Sequence, residues 1–205
     1  MDFIQNVDFS ILYWIQDSLR CVFLDVVLPF LTNLCNNGEI WIVCGVVLHF
    51  FRKYRRFGIF LLFAMLMGSV IGNDIIKPLV QRARPCHIDE AVELLVKRPS
   101  SFSFPSGHTC SSIVAATVLT RANKKFGYAA IPVAILIAFS RLYVFVHFPT
   151  DVLAGALLGF TLGFLTVTFG NKLFDRFGLL PPNMSSQKTE SVMEESKCDA
   201  NEGKS

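Results

Sequence analysis

The sequence predicts an all-α protein, a polytopic membrane helical bundle with five to six transmembrane helices. Hydrophobic residues make up 52% of its 205 positions and charged residues only 17%, against about 25% in a soluble domain. Mean hydropathy is +0.48. Twenty phenylalanines accompany several long uncharged runs. This composition excludes a disordered, collagen-like or disulfide-stapled chain. The net charge of +3 is too small to imply a nucleic-acid partner.

The elements follow in order. Residues 8–20 mix Asp8, Asp17 and Arg20 with Phe9, Ile11, Leu12, Trp14, Ile15 and Leu19, the pattern of an amphipathic helix lying on a membrane. Residues 21–35 are apolar but interrupted by Asp25 and Pro29, so they either span or re-enter. A bilayer core about 30 Å thick takes roughly 20 helical residues, fewer where flanking cations snorkel. Residues 39–51 make a short span with Arg52 and Lys53 at its end. Residues 57–72 are uncharged and continue helically through Asn73 and Asp74 to Lys77, ahead of Pro78. Residues 107–120 form a span opened by Pro105 and Ser106, 126–140 another that runs on to about Val144, and 152–170 a last one without any charge. The expected organisation is short N-terminal helices over 1–37, a transmembrane domain over 38–178 and a polar, disordered tail over 179–205. No basic stretch opens the chain, so no signal peptide is expected.

The six cysteines (21, 35, 44, 86, 110, 198) show neither a CxxC pair nor Cys/His metal spacing, and neither a structural zinc nor an obligatory disulfide is expected. One short loop holds Arg52, Lys53, Arg55 and Arg56, and another holds Arg121, Lys124 and Lys125. The positive-inside rule makes both cytoplasmic, together with the C-terminal tail. The connections 78–105 and 145–150 then share the outer face.

The residues that are expensive in a membrane protein gather near that face. Lys77 and Arg84 stand seven apart, Pro105-Ser106-Gly107-His108 opens a helix, and Ser140-Arg141 precedes His147 and Asp151. Singly, Lys77 and Arg84 read as headgroup-facing cations, His108 as a polar residue at a helix start, and Asp151 as a first-turn acid facing the helix dipole. Arg141 within an apolar run needs a partner or a task, since a charge there costs about 2.5–3.5 kcal/mol on insertion scales. Together they suit phosphoryl chemistry. A phosphate needs fixed cations, N–H donors from a glycine-containing helix start, a nucleophile and a proton donor. Arg84 and Arg141 can grip oxygens bidentately, with Lys77 a point charge. His108, His147 and Asp151 supply a nucleophile–orienter pair and a separate acid. These residue types alone leave open which histidine is the nucleophile.

In this order, Lys-x6-Arg-Pro, Pro-Ser-Gly-His and Ser-Arg-x5-His-x3-Asp, the motifs spanning Lys77 to Asp151 resemble the three-part signature of the type 2 phosphatidic acid phosphatase superfamily, which also holds vanadium haloperoxidases. The resemblance implies that His147 attacks phosphorus to form a phosphohistidine, Asp151 orients it, and His108 protonates the leaving oxygen and then activates water. It further implies that Lys77, Arg84, Ser106, Gly107 and Arg141 hold the equatorial oxygens, and that no metal or cofactor is needed. The active site is then expected at the outer membrane–water interface, on a lipid phosphate or diphosphate.

Short loops and compact motif spacing are similar to those of bacterial undecaprenyl-diphosphatases, which regenerate a carrier lipid for cell-wall synthesis. Phosphatidic acid, phosphatidylglycerophosphate and short isoprenoid diphosphates are the alternative substrates. Phosphoryl transfer to a lipid acceptor on the same scaffold and a non-catalytic membrane protein are the competing functions. Asp74 is placed to pair with Lys77 on one helix face, His87 reads as a solvated loop residue and His49 as structural. Gly155, Gly159 and Gly163, like Gly68 and Gly72, form small-residue stripes, read as packing within the bundle with a homodimer contact as the alternative.

Overall fold

The computed structural model describes residues 3–36 and 38–177, and every regular element among them is helical. The expected tail over 179–205 and Cys198 lie outside the described residues. The chain divides into two compact units, Met1–Thr168 and Phe169–Ser205. All site residues named above fall in the first; of the second, the described part is the end of the last helix, where Lys172 Nζ lies 5.9 Å from the Phe169 ring.

Helix α1 (Phe3–Leu19) leads into α2 (Val22–Asn33) and α3 (Glu39–Phe50). Helix α4 (Arg55–Ser69) passes without a break into a π-helical stretch, Val70–Ile76, and a final turn, α5 (Lys77–Val80). A short α6 (Pro85–Ile88) and a long connection precede α7 (Gly107–Ala122), α8 (Lys124–Tyr143) and α9 (Pro149–Phe177). The apolar helical stretches Arg55–Ile88, Lys124–Tyr143 and Pro149–Phe177 are long enough to cross a membrane, with Val22–Asn33 and Glu39–Phe50 as shorter apolar helices.

Helix α7 is the centre of the bundle. Eight of its sixteen residues are buried, among them Val114, Ala115 and Val118. Helix α9 packs on it through glycine: a Cβ on Gly155 would stand 2.5 Å from the Ser106 carbonyl oxygen, and one on Gly159 would collide with that of Cys110. The stripe 155/159/163 is therefore spent inside the chain. The opposite face of α9 is apolar and open, with Leu157 69% exposed, as a lipid-facing surface requires. At the far end of α7 the two basic loops adjoin, Asn123 Nδ2 donating to Tyr54 Oη at 3.2 Å. The start of α7, with His108, is at the other end.

The N-terminal segment differs from its sequence reading in one respect. Helix α1 does present Trp14 outward, but Asp8, assigned to its polar face, is 1% exposed. Phe9, Leu12 and Ile15 join Val144, Phe145, Val146 and Phe148 in one core cluster, so the helix covers the loop that carries His147. In α2, Asp25 accepts from Tyr143 Oη at 2.8 Å and lies 3.5 Å from Arg20 Nε, which reconciles an acid with an apolar helix. The expected Asp74–Lys77 pair does not form. The π-helical winding puts successive turns out of the α-helical i, i+3 phase, and Asp74 is exposed while Lys77 lines a cavity.

Candidate active site

Helix α8 ends in a tight reversal. Phe145 has a left-handed φ of 57°, uncommon for a bulky residue. The turn brings the backbone N–H groups of both Val146 and His147 onto the Arg141 carbonyl, each at 3.3 Å. Residues 144–148 are all buried, so the loop behaves as part of the core.

His147, 2% exposed, has its two ring nitrogens in different company. Arg84 Nη1 approaches Nε2 at 3.1 Å. Nδ1 faces Asp151 Oδ2 at 3.6 Å and Ser103 Oγ at 3.5 Å. A guanidinium only donates, so Nε2 must carry the lone pair and Nδ1 the proton. Burial, aided by the Arg84 and Arg141 charges and opposed by Asp151, pushes the His147 pKa down to about 3. The ring is therefore neutral at physiological pH.

Asp151 opens α9 and is fully buried. Its Oδ2 accepts from the Phe148 N–H at 2.9 Å and from the Ser103 hydroxyl, and its Oδ1 from Arg82 Nη1 at 2.6 Å. Arg84 is held by the Ser101 carbonyl at 2.7 Å, the Val146 carbonyl at 2.8 Å and the Ser101 hydroxyl at 3.0 Å. Arg141 Nη1 donates to Thr32 Oγ1 at 2.5 Å.

Ser106 caps α7, its Oγ accepting from the Thr109 hydroxyl at 2.9 Å, while its own N–H donates to the Asp151 carbonyl at 3.0 Å. It is wholly buried behind the cavity wall, and Gly107 and His108 form the wall itself. Two buried side-chain nitrogens here have no hydrogen-bond partner among the described residues: His108 Nε2 and Arg141 Nε. Buried polar atoms are rarely left so, and both residues line one cavity.

That cavity holds about 890 Å³ and is lined by Lys77, Arg84, Gly107, His108, Arg141 and His147. Lys97 and Arg98 line it too, and Ile42, Leu62, Met65 and Val114 carry it on between the helices. Five cations and two histidines thus face it with no carboxylate among the described lining residues. Such a donor set suits a multivalent anion and is the wrong one for magnesium, which takes oxygen ligands. His87 and His49 are exposed and outside it.

Sequence reasoning missed four contributors. Arg82 lies inside the first motif with nothing in its spacing to mark a task, Asp8 fits the polar side of an amphipathic helix, and Ser103 and Thr32 carry no signal beyond being small and polar.

The PAP2 superfamily profile matches residues 57–175. Undecaprenyl-diphosphatase of Sulfolobus acidocaldarius is 32% identical over 165 residues, 80% of this chain and 79% of that protein. The crystal structure of a transmembrane PAP2-type phosphatidylglycerolphosphate phosphatase from Bacillus subtilis superposes with a TM-score of 0.68 at 29% identity, covering 84% of this chain and 88% of that one. That of Aquifex aeolicus LpxE gives 0.70 at 30% identity, covering 79% and 95%.

Proposed function

The chain belongs to the PAP2 superfamily and is a membrane lipid phosphatase, and we propose that it hydrolyses a polyprenyl diphosphate, undecaprenyl diphosphate by preference, to the monophosphate and free phosphate through a phosphohistidine on His147. The cavity, with no carboxylate among its described lining residues, carries this reading: Lys77, Arg84 and Arg141 suffice for one phosphate, and Lys97 and Arg98 add charge for a second.

The Nε2 lone pair of His147 attacks the terminal phosphorus in line, and the bond from that phosphorus to the bridging oxygen breaks. His108 gives its proton to that oxygen on the departing lipid monophosphate. The diphosphate's own charge offsets the cations around His108, which lets the ring hold this proton. Lys77, Arg84 and Arg141 hold the equatorial oxygens with the N–H groups of Gly107 and His108 at the start of α7, while Ser106 acts through the cap that shapes this turn. Asp151 keeps the Nδ1 proton in place and stabilises the charge the ring acquires. His108 then takes a proton from water as its oxygen attacks the phosphohistidine, the P–N bond breaks, and the electron pair returns to Nε2.

The basic loops at the opposite end of α7 support an outward-facing site. The apolar extension between α3, α4 and α7 supports a long lipid tail. Phosphate release from undecaprenyl diphosphate, farnesyl diphosphate, phosphatidic acid and phosphatidylglycerophosphate tests the proposal. The highest kcat/KM is expected for undecaprenyl diphosphate; a preference for either glycerolipid would overturn the substrate assignment.

A further inference from the structure

Three segments far apart in sequence meet behind the cavity wall. Arg82 Nη1 bonds Asp151 Oδ1 and the Thr150 hydroxyl, both at 2.6 Å, and its Nη2 bonds Asp8 Oδ2 at 2.6 Å. Asp8 in turn accepts from the Thr150 N–H at 3.1 Å and from its hydroxyl at 2.5 Å. The guanidinium carbon lies 4.0 Å from the centre of the Phe148 ring, which meets Phe9 edge-on at 5.1 Å. One cation therefore serves two buried carboxylates. Removing it would leave both buried charges without their shared cation, a costly arrangement.

We propose that Arg82 and Asp8 are positioning residues for the hydrolysis, forming with Asp151 an acid–cation–acid bridge that makes α1 part of the catalytic apparatus. This rests on the phosphohistidine reading above. Arg82 fixes Oδ1 of Asp151 while Phe148 N–H and Ser103 fix Oδ2, so the carboxylate has one orientation toward His147 Nδ1. Loss of Arg82 leaves Oδ1 unheld, so the carboxylate can pivot about its Oδ2 bonds and shift the imidazole it orients. Neither Arg82 nor Asp8 lines the cavity, so the effect falls on turnover and spares substrate affinity. Asp8 also lies outside the stretch matched by the superfamily, which begins at residue 57.

The test is steady-state phosphate release from undecaprenyl diphosphate in detergent, using full-length wild type, His147→Ala, Arg82→Gln, Arg82→Lys and Asp8→Asn. Small misplacements of catalytic groups cost about 100-fold. Loss of the partner that orients a metal-bound imidazole costs about 10–100-fold, the scale taken here for a metal-free one. Arg82→Gln is expected to lower kcat about 100-fold with KM nearly unchanged, Arg82→Lys to recover part of this, and Asp8→Asn to lower kcat about 10-fold. Wild-type kcat in Asp8→Asn or in Arg82→Gln overturns the proposal, as does a rise in KM at unchanged kcat. Asp8→Asn decides alone where Arg82→Gln cannot be purified folded. A wild type inert toward every lipid phosphate would sink the functional reading itself. An active wild type, an inert His147→Ala and an unaffected Asp8→Asn would sink only the bridge.

Discussion

Arg84 Nη1 lies 3.1 Å from His147 Nε2 and 2.8 Å from the Val146 carbonyl. The cation proposed to receive the phosphate is thus also the group that holds the attacking nitrogen unprotonated. Substrate oxygens that take over this Arg84 N–H release a lone pair on Nε2 that has no proton to lose first.

Arg84→Lys keeps the charge but loses the planar fork, so it cannot serve Ser101, Val146 and His147 together. Steady-state kinetics are expected to show kcat/KM reduced about 100-fold or more, the scale of losing one charge-stabilising donor.

Protein stability should depend on pH through His147. Its pKa falls from 6.5 to about 3 on folding, so between those values the unfolded chain binds more protons. The stability present above pH 6.5 is lost as pH falls through that window, by about 2 kcal/mol at pH 5. Thermal unfolding in detergent should show this slope in the wild type and a weaker one in His147→Asn.

Lys97 and Arg98 are exposed residues lining the cavity, and Arg98 is shared with Glu90 at 3.0 Å. Solvent-exposed charge contacts contribute up to about 1 kcal/mol each. The double variant Lys97→Ala/Arg98→Ala should raise KM for a lipid diphosphate roughly 10-fold, while KM for the matching monophosphate stays near wild type. Equal effects on both would remove these residues from recognition of the second phosphate.

Two glycines make a controlled pair. A Cβ on Gly159 runs into the backbone carbonyl of Cys110, whereas one on Gly72 finds nothing nearer than 3.7 Å. Gly159→Ala should destabilise by about 1–3 kcal/mol, the usual range for overpacking. Gly72→Ala should leave the melting temperature nearly unchanged.

The elements legible in the sequence are those whose residues are costly to place. Uncharged runs announced the long helices, and Arg141 in an apolar stretch marked itself as a candidate because charges in membrane helices are rare and almost always paired. The glycine stripe of α9 told of close packing, and the structure places it against α7. What escaped was relational. Asp8 fits an amphipathic helix as a surface acid, and only the fold of residues 144–151 over α1 buries it beside Arg82. The π-helical stretch before Lys77 leaves no mark in residue type, so the Asp74–Lys77 pairing looked sound at α-helical spacing. Ser106 matched a phosphate-binding motif, but its hydroxyl is engaged with Thr109 as a helix cap.

The central claim is that a phosphoryl group resides on His147 during turnover. Rapid acid-free quench of the enzyme with undecaprenyl diphosphate, followed by peptide mass spectrometry, addresses it directly. The account predicts a phosphorylated His147 peptide, absent from His147→Ala, which should also lose about 1,000-fold or more in kcat, the scale for removing a nucleophile. Phosphate found on another residue, or an active His147→Ala enzyme, would contradict it.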